Sequence, residues 1–256
     1  MRIVTDLGIG SAPLRPRRSW SPASLFQDGA EGAWYDPGAE GGVWRDAAGT
    51  LPALPDDPVA RIDDMSGNGH HAMQATVAAR PILRRSDGLS WLEFDGVDDA
   101  LVTAGVNFPA DSLTMIAAAE KVSVTTTQLF MGLGSSVRFH VNRSSSVNRV
   151  SLLDGSSERR GSVQGGIHRV VASGIVDRAA GVVALRENGM ASNQSQTGTP
   201  PGGSFGNLSI ALGASSTGAL ILNGKFFGGL VRLGVLPEAV IATVEAWMAA
   251  RSGVTP

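Results

Sequence analysis

Cysteine is absent from this chain of 256 residues. Disulfides and thiolate metal sites are thereby excluded, while the redox compartment stays open. Lysine is nearly absent too: Lys121 and Lys225 stand beside a basic complement otherwise made of arginine. With the abundance of alanine and glycine, this usage reads as the mark of a GC-rich genome. No stretch approaches the roughly 18 consecutive apolar residues of a membrane span. The opening MRIVTDLGIGSAPLRPRRSWSP has no apolar run of the signal-peptide kind. Neither a membrane partner nor export by the usual route is expected. An excess of one charge is lacking as well. At a net charge of −2, no nucleic-acid surface is expected.

What is present suits a folded β protein. Hydrophobic residues make up 43% of the chain, enough for a full core, and 33 Gly with 13 Pro favour turns over long helices. Residues 1–21 read as an arm, because no period of 2 or 3.6 persists there. Ile3, Leu7, Leu14 and Trp20 would anchor it on a partner, and Arg15, Arg17 and Arg18 would pair with acceptor carboxylates. Residues 22–256 read as one domain. A short helix is expected over 22–30, with Ser21 as N-cap and Pro22 at its first position. From 59 to 235, short apolar runs recur about every ten residues with turn residues between them, the pattern of a sandwich or barrel. Val137, Phe139 and Val141 alternate with Arg138, His140 and Asn142, which predicts a half-buried strand with its polar side outward. Residues 237–252 predict a helix with Val240, Val244, Trp247 and Met248 on one stripe, Ile241 at its margin and Gly253 as the stop.

The most pointed motif is Asp64-Met65-Ser66-Gly67-Asn68-Gly69-His70-His71-Ala72. Two readings are open. It is a tight turn, in which Asp64 and Ser66 bond the local backbone and the glycines take positive φ. Or it is half of a calcium site, with Asp64 and Asn68 meeting Asp98 and Asp99 to supply oxygens. Zinc on His70 and His71 is not expected, since adjacent strand residues face opposite ways. Glu93 and Asp95 share a face, as the E-x-D-x-x-E carboxylates of some glycosidases do, but Asp98 replaces the last Glu. Gly202-Gly203-Ser204-Phe205-Gly206 matches the letters of a nucleophile elbow, yet leads toward a strand where an elbow needs a helix. His140 and His168 read as surface or satisfied histidines. The polar stretches 142–148 and 188–196 read as hairpin loops, suited to sugar hydroxyls but without an aromatic platform.

The Asp64–Ala72 motif, the Leu92-Glu93-Phe94-Asp95-Gly96-Val97-Asp98-Asp99 turn, and the strand from Gly229 running into the acidic-capped terminal helix together resemble the concanavalin A-like, laminin-G-like jelly roll. The resemblance covers roughly residues 34–253. It implies an all-β jelly-roll sandwich with an N-terminal arm and a C-terminal helix. The WYDP opening, the DPV-x-R-x-x-D-x-SGNG run and the terminal helix also resemble phage and prophage structural proteins. That resemblance implies a noncatalytic virion structural protein, such as a head or tail fibre, spike or decoration component. It would be assembled in the host cytoplasm, homo-oligomeric and docked to other virion proteins through the arm. Host-surface glycan is its candidate ligand, no cofactor is required, and calcium is a candidate ion. The alternative is a stand-alone carbohydrate-binding lectin module, and after it a glycosidase.

Overall fold

The short apolar runs separated by glycine-rich turns fold as strands in this protein, whose structure is a computed structural model describing residues 20–122, 126–144, 147–161 and 168–255. In chain order the strands are β1 (Gly32–Tyr35), β2 (Val43–Trp44), β3 (Arg61–Ile62), β4 (Ala72–Met73), β5 (Ile82–Ser86) and β6 (Leu89–Asp95). Then follow β7 (Leu101–Phe108), β8 (Ser112–Lys121), β9 (Gln128–Leu133), β10 (Val137–Ser144), β11 (Val147–Asp154) and β12 (Ser157–Arg160). The rest are β13 (His168–Asp177), β14 (Val182–Glu187), β15 (Met190–Ala191), β16 (Gly206–Leu212) and β17 (Asn223–Leu233), before the helix α1 (Glu238–Ser252).

These strands form an all-β sandwich with a C-terminal helix. One sheet has the order β15-β14-β13-β8-β17-β6-β5, with β1 also pairing to β17. The other has the order β12-β11-β10-β9-β16-β7-β4-β3-β2. The main core lies between them, with Phe94, Met115 and Phe226 of the first sheet meeting Phe130, Phe139, Leu152 and Ile210 of the second. A second apolar layer covers the outer face of the first sheet, where Ile116, Val171, Phe227 and Leu230 pack under Ile241, Val244 and Met248 of α1. This double burial explains why β8 reads as a near-continuous apolar run and not an alternating one. No helix covers the outer face of the second sheet among the described residues.

Three details depart from expectation. The helix over 22–30 is a 3-10 turn, Pro22–Phe26, and Ser21 makes no side-chain cap bond. The turn stops early because Gly29 takes φ +78° while its N–H bonds Phe26. In α1, Ile241 lies at the centre of the buried face, and Glu245 is buried beside it because its carboxylate takes Arg186 at 3.0 Å. β12 was not expected at all. Its sequence Ser-Glu-Arg-Arg has no apolar residue. Pairing with β11 on one edge and reciprocal bonds between Glu158 and Thr197 on the other hold it extended.

Candidate functional site

The Asp64 turn is closed on itself and on β1. The buried Asp64 carboxylate accepts hydrogen bonds from Trp34 N (2.9 Å), Ser66 N (2.9 Å), Ser66 Oγ (2.8 Å) and His70 N (3.0 Å). Asn68 Nδ2 donates to the carbonyls of Ala30 and Gly32. His70 meets Glu31 at 2.6 Å and His71 meets Asp63 at 3.0 Å, so the two rings point to different partners. Gly67 and Gly69 carry φ of +96° and +83°, which a residue with a Cβ rarely adopts. The turn reading holds.

The four residues expected to share calcium do not converge. Asp64 is bonded at Trp34, which pairs with Leu230, whereas Asp95 pairs with Asn223 on the same strand. Seven residues of β17 separate those points, roughly 23 Å at the usual strand rise. Asp98 and Asp99 gather with Asp95 instead, their carboxylate oxygens within 4.8 Å of one another. These oxygens suit calcium by type, but they are already turned to local work. Asp95 Oδ1 accepts from Val97 N and Asp99 Oδ2 from Asp95 N. Burial raises Asp99 to about 6, against the Asp95 N–H and with the help of the Asp95 and Asp98 charges. Glu93 is paired with Arg84, so Glu93 and Asp95 each have a structural partner. The carbonyls of Gly203 and Ser204 accept from Arg178, and strand β16 begins at Gly206, so that run is a loop. Of the arm residues, Ile3, Leu7, Leu14, Arg15, Arg17 and Arg18 lie outside the described residues, and Trp20 is exposed.

The unexpected site lies on the uncovered face of the second sheet. Val137, Phe139, Val150 and Leu152 point into the core, so the residues alternating with them point outward. The register places His140 opposite Ser151 and Ser151 opposite Arg160. Two residues along, Arg138 stands opposite Leu153 and Leu153 opposite Glu158. Six side chains on three strands thus cover a patch of roughly 10 by 7 Å. Thr127 and Leu220 wall it in, and with Arg138, His140, Leu153 and Glu158 they line a cleft of about 290 Å³. Leu220 holds φ +56°, a left-handed conformation costing a leucine about 1–2 kcal/mol. The Ser215–Ala219 turn and a bond from Leu129 N to its carbonyl keep it there. A second cleft of about 360 Å³, reaching Gly96 and Ile221, shares Thr127 and Leu220 as its wall.

Two polar atoms of the first cleft are buried and unsatisfied. His140 and Glu158 are 6% and 8% exposed. Arg138 Nε and His140 Nδ1 are buried without a hydrogen-bond partner among the described residues, and the Ser151 hydroxyl sits against the Glu158 carboxylate, whose charge it stabilises. His140 Nε2 stands 3.8 Å from Glu158 Oε1, and Arg160 Nε donates to Glu158 Oε2 at 2.9 Å. Burial holds His140 down at about 4, outweighing the nearby Glu158 charge, so the imidazole is neutral at pH 7. Burial alone would raise Glu158, but Arg160, Ser151 and His140 outweigh it and hold the carboxyl below its ordinary value. A buried polar group without a partner costs about 1–3 kcal/mol, so two on one strand face call for an explanation. The sequence signal for it was the Arg138–His140 alternation, read as solvent-facing. Glu158 had no signal, because its strand lacks the apolar residues that mark strands.

No protein-family model matches the chain, and no curated protein matches it. Solved structures do. An arabinofuranosidase complexed with arabinofuranosyl-α-1,2-xylobiose matches with a TM-score of 0.53 and 16% identity, over 76% of this chain and 51% of that one. A Trypanosoma rangeli sialidase in complex with sialic acid matches with a TM-score of 0.56 and 13% identity, over 85% of this chain and 32% of that one. The chain spans about half the length of the first and about a third of the second. The shared feature is the β-sandwich. The expectation of a noncatalytic, phage-type virion structural protein is corrected on this finding, since the matched structures are carbohydrate-active enzymes. The expectation that the chain is no enzyme is corrected with it.

Proposed function

We propose that this β-sandwich recognises carbohydrate and that a sugar sits in the cleft over β10, β11 and β12. The observation that carries the reading is the pair of buried, unpartnered polar atoms, Arg138 Nε and His140 Nδ1, in a cleft that Glu158 also lines. A sugar hydroxyl both donates and accepts. It can give its proton to the ionised Glu158, take one from Arg138, and pair with either form of a neutral imidazole nitrogen. An apolar ligand would leave both nitrogens unsatisfied. The cleft volume equals that of roughly ten waters, room for one sugar ring. The sugars named with the matched arabinofuranosidase and sialidase support the same ligand class. In this protein the likeness is one of fold, and the cleft supplies the chemistry.

Glycoside hydrolysis is the second reading, favoured by the placement of the buried Glu158 carboxylate beside a neutral histidine in a cleft. Such hydrolysis usually employs two carboxylates, and Glu158 is the carboxylate among the lining residues, so a second group must come from beyond them. A glycan array probed with the full chain tests the first reading. Binding should appear, and Glu158→Gln and His140→Ala should each weaken it tenfold or more without lowering the melting temperature. Unchanged binding in both variants refutes the cleft. Turnover of aryl arabinosides or sialosides that vanishes in Glu158→Gln would establish the second reading.

A further inference from the structure

We infer that the sugar recognised in this cleft carries a carboxylate, and that Arg138 is the residue that selects it. The inference rests on the carbohydrate reading and deepens it. Its basis is a contrast among the arginines. Arg178 is paired with Asp154 at 2.8 Å, Arg186 with Glu245 at 3.0 Å and Arg169 with Glu120 at 2.5 Å. Arg80 directs its guanidinium to the carbonyls of Gln74, Ala75 and Arg45, and Arg85 is exposed. Arg138 has neither arrangement. It is half-buried in the cleft lining, its Nε is shielded from solvent without a partner, and it forms no ion pair among the described residues.

The neighbouring charges sharpen this. Glu158 is the cleft's own carboxylate, and Arg160 already holds it at 2.8 Å. Ser151 and His140 bring no charge at neutral pH. One positive charge, that of Arg138, is therefore left uncompensated at the cleft among the described residues. A sugar hydroxyl could accept from Nε but would leave the charge unanswered in a poorly solvated place. A planar carboxylate answers both needs, because it takes Nε and a terminal nitrogen of the same guanidinium in a two-pronged pair. His140 and Glu158 then remain for the ring hydroxyls. A uronic or sialic acid has this combination, a carboxylate on a ring rich in hydroxyls.

Calorimetric titration of the full chain tests the inference with matched probes: 3′-sialyllactose against lactose, and trigalacturonic acid against its methyl ester. At least one carboxylated probe should bind tenfold or more tighter than its neutral counterpart, with a preference that shrinks as salt is raised. Arg138→Gln should reduce that preference to under twofold while leaving the melting temperature unchanged. Arg138→Lys should keep part of it. Equal binding of acidic and neutral probes, with loss of both in Glu158→Gln, overturns the carboxylate inference and leaves the carbohydrate reading standing. A preference that survives Arg138→Gln overturns the role of Arg138. Tighter binding of a sulfated disaccharide than of every carboxylated probe overturns the carboxylate. Absence of binding to any probe overturns both readings together.

Discussion

The Asp64 turn and the His140 cleft are made of the same materials, a carboxylate, histidine and serine, held to opposite ends. In the turn, the Asp64 carboxylate accepts four hydrogen bonds and Asn68 donates two. Nothing there is left for a ligand. In the cleft, Arg160 occupies one oxygen of Glu158, while His140 Nδ1 and Arg138 Nε stand without partners among the described residues. Satisfaction marks a group that holds the fold, and its deliberate lack in a lined cleft marks a group kept for something else. Stability and recognition should therefore respond to mutation separately in the two regions.

Asp64→Ala should have the largest effect. It strands four donors in a part-buried turn, and urea unfolding should show a loss of about 4 kcal/mol. Sugar affinity of the molecules that remain folded should not change. If both fall together, the two regions are not independent.

His140→Leu should act with the opposite signature. The unfolded chain takes up a proton on this histidine near pH 6.5, while burial delays uptake in the folded state to about 4. Its contribution to stability is thus complete above pH 6.5 and is lost as pH falls through that window, by about 3 kcal/mol at pH 4. The leucine variant should lack this loss. Its stability at pH 7 should stay within about 1 kcal/mol of the parent, because a buried, unpartnered nitrogen has been removed. Unfolding curves of both proteins at several pH values check this, and matching pH profiles would contradict the burial of His140.

The smallest effect belongs to Asn68→Ala. It removes two bonds to carbonyls from a partly exposed side chain, so a loss of about 1 kcal/mol is expected, with no change in sugar binding. A drop in affinity here would place the turn within the recognition surface.

The same contrast explains what the sequence disclosed. Most strands were legible because alternation or continuous apolar runs record burial on one face or two, as in Val137–Phe139 and in β8. The terminal helix was legible from its stripe and its glycine stop, though the weight of Ile241 was not, since that depends on where the sheet lies. The Asp64 motif announced itself because turns demand glycine and short polar side chains at fixed places. The cleft did not, for two physical reasons. Whether a polar strand face meets water or a neighbouring loop is decided by Thr127 and Leu220, which are distant in sequence from His140. And β12 is extended by its partners alone, so Ser157–Arg160 has no local preference to read. The wider functional expectation failed for a related reason: one jelly roll hosts many activities, and shared turns say little about which face is used.

The position of β17 sets the order in which this molecule can assemble. It lies between β8 and β6 and also pairs with β1, so one late segment of chain closes three much earlier ones. During synthesis, β6 and β8 must wait with unpaired edges until residue 233 has left the ribosome. Contacts so distant in sequence make folding slow. The waiting edges carry Leu92, Phe94, Met115 and Ile116, so the nascent chain is exposed to sticking with its neighbours for that whole interval.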